Sequence, residues 1–231
     1  MKRDIIRFFK SVLPPKVWAG LKKITNRILL FTWTDVYFYY DADYVKGALK
    51  DMEWVEGFCN AIKEIFHPSS VVDFGCGIGV ILHYFEKNGI DVFGIDGSAM
   101  SRRYSIMKKG NFLLYDLRRR MSLEKRYDLC LCLEVAEHIE ERYSDILIGN
   151  LVRHGSTVIF SAAPPFQPAD CHFNLKPYEW WIEKFRKYNF EFHPQLTDAF
   201  KKRIKDIPKI PGYYVNNILV FQEAPCHEQT G

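Results

Sequence analysis

The segment VVDFGCGIGV, residues 71–80, constrains this 231-residue chain more than any other. Val71, Val72, Asp73 and Phe74 read as a short buried strand, Gly75, Cys76, Gly77 and Gly79 make a tight turn, and an apolar-periodic stretch over 78–87 predicts a helix. A strand, a glycine turn and a helix in immediate succession open a doubly wound α/β sheet, whose ligands lie beyond the carboxyl ends of the strands. The spacing G-x-G-x-G behind an acid differs from the G-x-G-x-x-G that cradles a pyrophosphate. It offers a seat for a cationic amino-acid moiety instead.

The rest of the chain repeats the alternation. Apolar runs at 91–95, 111–115, 127–133 and 156–161 predict strands, and 142–153 and 178–188 predict helices. Brief strands at 190–192 and 216–222 flank a basic insertion with no clear crossover, which predicts an antiparallel edge at the C-terminal end of the sheet. The expected fold is α/β, doubly wound, with a mostly parallel seven-stranded sheet and a helical N-terminal cap. A hydrophobic share of 48% supplies one large core. The expected organisation is a basic amphipathic extension over 1–34, one domain over 35–224 and a tail over 225–231. Within the domain, 35–66 is aromatic and then helical.

Charge decides little globally, because 32 basic and 28 acidic residues leave a net charge of +4. It clusters locally: the first thirty residues hold Lys2, Arg3, Arg7, Lys10, Lys16, Lys22, Lys23 and Arg27 against Asp4, interleaved with apolar residues and broken at Pro14–Pro15. Two readings stand, a peripheral contact with anionic lipid or a polyanionic acceptor, and a cationic outer face on helices that cap the core. The segment has neither a signal-peptide core nor the about 20 apolar residues of a membrane span. The six cysteines show no paired spacing for zinc or disulfides. Reduced thiols in the cytoplasm are expected, with Cys130 and Cys132 packed on one face of a strand.

Acids recur where strands end. Asp73 closes the first strand, Asp96 with Gly97 the second in GIDGS, and Asp116 with Leu117 the third in YDL. A carboxylate at the second position can accept hydrogen bonds from both hydroxyls of a ribose. In this order the glycine turn, GIDGS, YDL and DLCLCLEVAEHI resemble the class I S-adenosylmethionine-dependent methyltransferases over about residues 50–222. The resemblance implies that Gly75 and Gly77 approach the methionine part of the cofactor, that Asp96 binds the ribose and Asp116 the adenine amine, and that Leu133 lies nearby. Asp73, Cys76, Gly79, Gly97 and Leu117 are expected beside the cofactor as well.

The acceptor side is carried by Glu134, Glu137 and His138. If the fourth strand runs into a helical turn, their i, i+3, i+4 spacing puts them on one face beside the cofactor. His172, with Asp170 and Asn174 near it, follows the fifth strand at the same edge. Carboxylates with imidazoles can hold a divalent ion such as Mg or Mn. The set resembles the Glu-x-x-Glu-His plus distal His of metal-dependent small-RNA terminal 2′-O-methyltransferases, and its first part resembles ubiquinone-pathway O-methyltransferases. The other reading has Glu134 capping a helix and a histidine, His138 or His172, serving as base. The expected acceptor is a hydroxyl of a sugar or glycan precursor, stacked on Tyr37–Tyr44, Trp180 and Trp181. RNA terminal-ribose methylation, with Arg118–Arg120 in a phosphate groove, is the alternative, and a non-catalytic cofactor-binding scaffold a second.

Overall fold

The computed structural model describes residues 53–169 and 172–225, together with Pro14, Val17 and Gly47. The expected N-terminal extension and cap, the aromatic run 37–44, Asp170 and the tail beyond Pro225 lie outside the described residues, apart from those three isolated positions.

Alternation of apolar side chains gives the sheet two buried faces, and helices cover both. The order is α1 (Glu53–Phe66), β1 (Ser70–Phe74), α2 (Val80–Lys87), β2 (Asp91–Asp96), α3 (Ala99–Tyr104), β3 (Phe112–Leu114) and β4 (Tyr127–Leu133). There follow 3₁₀ turns at Ala136–His138 and Glu141–Tyr143, then α4 (Ser144–His154), β5 (Gly155–Ser161), α5 (Tyr178–Arg186), β6 (Phe190–Phe192), α6 (Pro194–Ile204), α7 (Gly212–Asn217) and β7 (Leu219–Glu223). Val71, Leu129, Leu131, Ile159 and Val220 pack with α1, α2 and α6 on one face. Val72, Phe74, Cys130, Cys132, Phe160 and Phe221 pack with α4 and α5 on the other. Cys130 and Cys132 therefore share a face, as the alternation predicts.

The seven strands lie in the order β3-β2-β1-β4-β5-β7-β6. All neighbours from β3 to β5 are parallel, and β7 runs antiparallel to both β5 and β6. The C-terminal strand is the antiparallel one, as expected, and it inserts between β5 and the outermost strand β6. Strand order reverses between β1 and β4, which makes the carboxyl ends of these two strands the place for a ligand crevice. Register aligns those ends, with Phe74 opposite Ile95, Asp96 opposite Leu114, and Leu133 opposite Ser161.

Three elements differ from expectation, the first being the short helix α3, which Ser98 caps and which was not among the expected helices. The basic insertion contains α6, which starts at Pro194 behind a His193 cap and buries Thr197, Phe200 and Ile204. Its three- and four-residue apolar spacing is sparse beside the exposed lysines, and histidine is an unusual cap. The strand expected from residue 216 begins at Leu219, because Pro211 and Gly212 start the short helix α7 that ends at Asn217. No helix among the described residues is long and apolar enough to cross a membrane.

Candidate active site

The glycine turn places one half of the site. Gly75 has φ 90°, and its N–H donates to the Ile95 carbonyl at 2.7 Å. A Cβ there would collide with Val135, so the absent side chain lets the turn after β1 lie against the turn after β4. Gly77, at φ 56°, differs: a Cβ built on it meets nothing within 4 Å. Open space over a left-handed glycine is a cradle that a ligand can fill. Cys76 is buried in the core, its thiol pushed well above its ordinary range by burial and then by the charges of Asp96 and Asp73. Gly79 begins α2 with its bare Cα against Met107.

Asp96 ties the turn to β2. Its Oδ2 accepts from the N–H of Gly77 at 2.8 Å and its Oδ1 from that of Ser98 at 2.7 Å. Burial raises its pKa to about 6 against the pull of these hydrogen bonds. Asp73, also buried, is raised to about 8, by burial first and by the charge of Asp96 second. Two buried carboxyls that repel one another beside a glycine cradle favour a cation. Gly97 follows in the turn, where a Cβ would make only ordinary contact with the Tyr115 carbonyl. The Asp116 carboxylate is held by Arg118, Nε to Oδ1 at 2.9 Å and Nη2 to Oδ2 at 3.1 Å, so the first basic residue of the Arg118–Arg120 run is paired with this acid. Leu117 and Leu133 are buried on opposite faces of the sheet.

The other half gathers beyond β4 and β5. Glu134 sits at φ 55°, unusual for a residue with a side chain, and its N–H donates to both the carbonyl and the Oγ of Ser161 at 3.0 Å. The chain then makes a single 3₁₀ turn rather than the α-helical one that the spacing assumed, because the left-handed Glu134 turns the chain first. The carboxyls of Glu134 and Glu137 still lie close enough to interact, and tertiary bonds bring His172 to them. The Glu137 carbonyl accepts from the N–H of Phe173 at 2.7 Å and of Asn174 at 3.1 Å, and the Asn174 amide donates to Ser144 Oγ at 3.0 Å. This stitching brings the rings of His138 and His172 to 5.0 Å between centroids.

One ligand atom each from Glu137, His138 and His172 lies within 4.8 Å of the others. Glu137 is 1% exposed, and neither of its oxygens makes a hydrogen bond of good geometry among the described residues. Burial and then the charge of Glu134 raise its pKa to about 8. Glu134 stands beside this cluster with its carboxylate turned to Asn217, whose Nδ2 lies 3.2 and 3.3 Å from the two oxygens. Burial raises the Glu134 pKa, and hydrogen bonds from Ser161 and Asn217 and the charge of His172 pull it back.

Ser161, Gln167, Tyr178 and Asn217 are site residues that sequence reasoning missed. Tyr213 joins them, its phenol pushed up by burial and by the charge of Glu134. The expected stacking pair fails in part: Trp181 is 1% exposed and packs on Phe160 in the core, while Trp180 is flanked by Lys176 and Lys184. The consecutive tryptophans must face different ways on a helix, and the sheet claims one of them.

A doubly wound sheet with a glycine cradle at the switch point and acids on successive strand ends defines a class I methyltransferase fold. The chain belongs to the methyltransferase-domain family, whose model matches residues 49–198. The ubiquinone biosynthesis O-methyltransferase of Nitrosomonas europaea is 30% identical over 116 residues, 44% of this chain and 48% of that protein. The chain thus spans about half the length of this curated relative. Among solved structures, the sugar N-methyltransferase KedS8 from Streptoalloteichus sp. ATCC 53650 superposes with a TM-score of 0.59 at 15% identity, over 80% of this chain and 93% of that one. The plantazolicin methyltransferase BpumL, solved with a desmethyl analogue and SAH, gives 0.56 at 14% identity, over 89% and 97%. At such identities the likeness is one of fold.

Proposed function

We propose that this protein is an S-adenosylmethionine-dependent O-methyltransferase acting on a hydroxyl of a small molecule, with sugar hydroxyls the favoured class. The observation that carries the reading is the contact of Gly75 with Val135, which joins a cofactor-type cradle to a cluster of proton-accepting groups. The residues fit the cofactor: Gly77 leaves room for it, the Asp96 carboxylate has acceptor capacity toward ribose hydroxyls beyond its bonds from Gly77, Ser98 and Ser101, and its negative charge favours the positive charge of the cofactor. When bound, S-adenosylmethionine supplies a methyl carbon open to in-line attack.

The chain's own part is to aim an acceptor oxygen and take its proton. His172 and His138, clustered with Glu137, are the groups to which this reading gives that proton. Tyr178 and Tyr213, close enough to Glu134 for its charge to raise both phenols, offer the rings that a sugar hydroxyl was expected to find in Trp180 and Trp181. The carboxylate and two imidazoles also form a donor set for a divalent ion, and this mixture suits Mn or a softer ion better than Mg. That set would hold the ion against the acceptor oxygen and ease loss of its proton.

Calorimetry with S-adenosylmethionine and S-adenosylhomocysteine tests the cofactor half. A screen of hydroxyl acceptors with methyl-labelled cofactor tests the rest. Binding of neither ligand would end the proposal, and binding without transfer across a broad panel would leave a cofactor-holding scaffold.

A further inference from the structure

We infer that Asn217 is the positioning residue of the acceptor side, holding Glu134 with one hand of its amide and fixing the working nitrogen of His172 with the other. The inference rests on the methyl-transfer reading for what the site does, and on geometry for how it is held. Asn217 is fully buried at the end of α7. A carboxylate can only accept, so the amide nitrogen must be the atom facing Glu134, where one N–H spans both oxygens at 3.2 and 3.3 Å. The second N–H donates to Gln167 Oε1 at 2.9 Å, and Oδ1 accepts from the Tyr178 hydroxyl at 3.1 Å. Both donors are spent, and every partner is a side chain of the acceptor half.

The link continues through Gln167. Its backbone carbonyl lies 2.8 Å from His172 Nδ1, and a carbonyl can only accept, so Nδ1 carries a proton and the neutral imidazole keeps its lone pair on Nε2. The side chain of Gln167 is anchored by Asn217, its N–H by the Pro164 carbonyl at 2.9 Å, and its carbonyl then sets the tautomer of His172. A partner that fixes the far nitrogen of a working histidine leaves the near one ready to take a proton or hold an ion. One buried amide therefore couples the carboxylate at the end of β4 to the imidazole on the β5–α5 loop.

The test reads the tautomer directly, by ¹⁵N NMR of the imidazoles at neutral pH in protein loaded with S-adenosylhomocysteine. Wild type is expected to show His172 as the Nδ1–H form. Asn217→Ala and Gln167→Ala are expected to replace it by a mixture with the Nε2–H form. His154 is the internal control, since Asn150 O at 2.7 Å from Nδ1 and the Leu123 N–H at 2.9 Å from Nε2 fix its tautomer independently. With an acceptor found by screening, kcat should fall by about 10- to 100-fold in both variants while KM for S-adenosylmethionine stays within about twofold, a split that loss of stability does not produce. His172 remaining wholly Nδ1–H in both variants with His154 unchanged, or lying in the Nε2–H form in wild type, overturns the inference. Should Asn217→Ala not fold, Gln167→Ala decides alone, because Gln167 is only half-buried. Failure of wild type to bind S-adenosylhomocysteine rejects the methyl-transfer reading instead, and the tautomer comparison then proceeds on the free protein.

Discussion

The backbone N–H of Gly77 donates to Oδ2 of Asp96 at 2.8 Å, so the turn after β1 and the carboxylate that ends β2 form one unit. Asp96→Asn sets an amide NH₂ against one of two backbone N–H donors and removes acceptor capacity for a ribose. A lost charged hydrogen bond costs about 1.5–3 kcal/mol, so the affinity for S-adenosylhomocysteine should fall by more than about tenfold. Calorimetry on the folded variant checks this, and an unchanged dissociation constant would remove Asp96 from the ligand site.

Alanine separates the two glycines of the turn. At Gly75 a methyl collides with Val135 at positive φ, so Gly75→Ala should lower the melting temperature and the yield of folded protein. At Gly77 the methyl enters open space, and the left-handed backbone costs only about 1–2 kcal/mol. Gly77→Ala should stay folded and lose cofactor affinity. Equal stability losses with equal affinity losses would show that Gly77 is structural and that its open side faces no ligand.

What the sequence made legible is what local pattern controls. The strand, turn and helix around Gly75 and Gly77, the placement of Asp73, Asp96 and Asp116 at or just beyond the carboxyl ends of successive strands, and the shared face of Cys130 and Cys132 all follow from short-range periodicity. The partners of Glu134 do not. Asn217 lies 83 residues away and reaches Glu134 because β7 inserts between β5 and β6, a pairing that no local spacing encodes. The left-handed turn at Glu134 likewise overrode the α-helical turn that i, i+3, i+4 spacing suggested, since the two hydrogen bonds to Ser161 hold the backbone there.

Asp73 should make stability depend on pH. Its carboxyl titrates near about 4 in an unfolded chain, and burial raises it to about 8 in the fold. Between these values the folded state keeps a proton that the unfolded chain has lost, so its contribution is complete below about pH 4 and declines as pH rises through the folded pKa. His154, whose pKa burial lowers, acts in the opposite sense only below its ordinary value of 6.5. From about pH 6.5 to 8 the melting temperature should therefore fall, and Asp73→Asn should lessen the fall, the remainder coming from Glu137, whose buried carboxyl is likewise raised to about 8. A wild-type melting temperature that climbs across this interval would contradict the burial assigned to Asp73.

Methyl transfer should depend on Glu137, His138 and His172, with Glu134 supporting them, and two chemistries for this cluster predict different outcomes. A hydroxyl is almost wholly un-ionised near neutral pH, so its proton must go to a base or be loosened by a cation. If an ion is used, a chelator should abolish turnover with cofactor affinity intact, and Mn should restore it. Co(II), added as a probe, should give a ligand-field spectrum that weakens on alanine substitution of Glu137, His138 or His172. If a histidine is the base, the chelator should have no effect, and alanine at His172 or His138 should cost about 10²- to 10⁴-fold in rate. Glu134→Gln, which keeps the size of the side chain but not its charge, should reduce the rate in both cases, because the carboxylate accepts from Asn217 and its charge reaches both Glu137 and His172. Full activity in chelator after both histidines are replaced would exclude both chemistries and leave the fold to orient an acceptor that is already reactive.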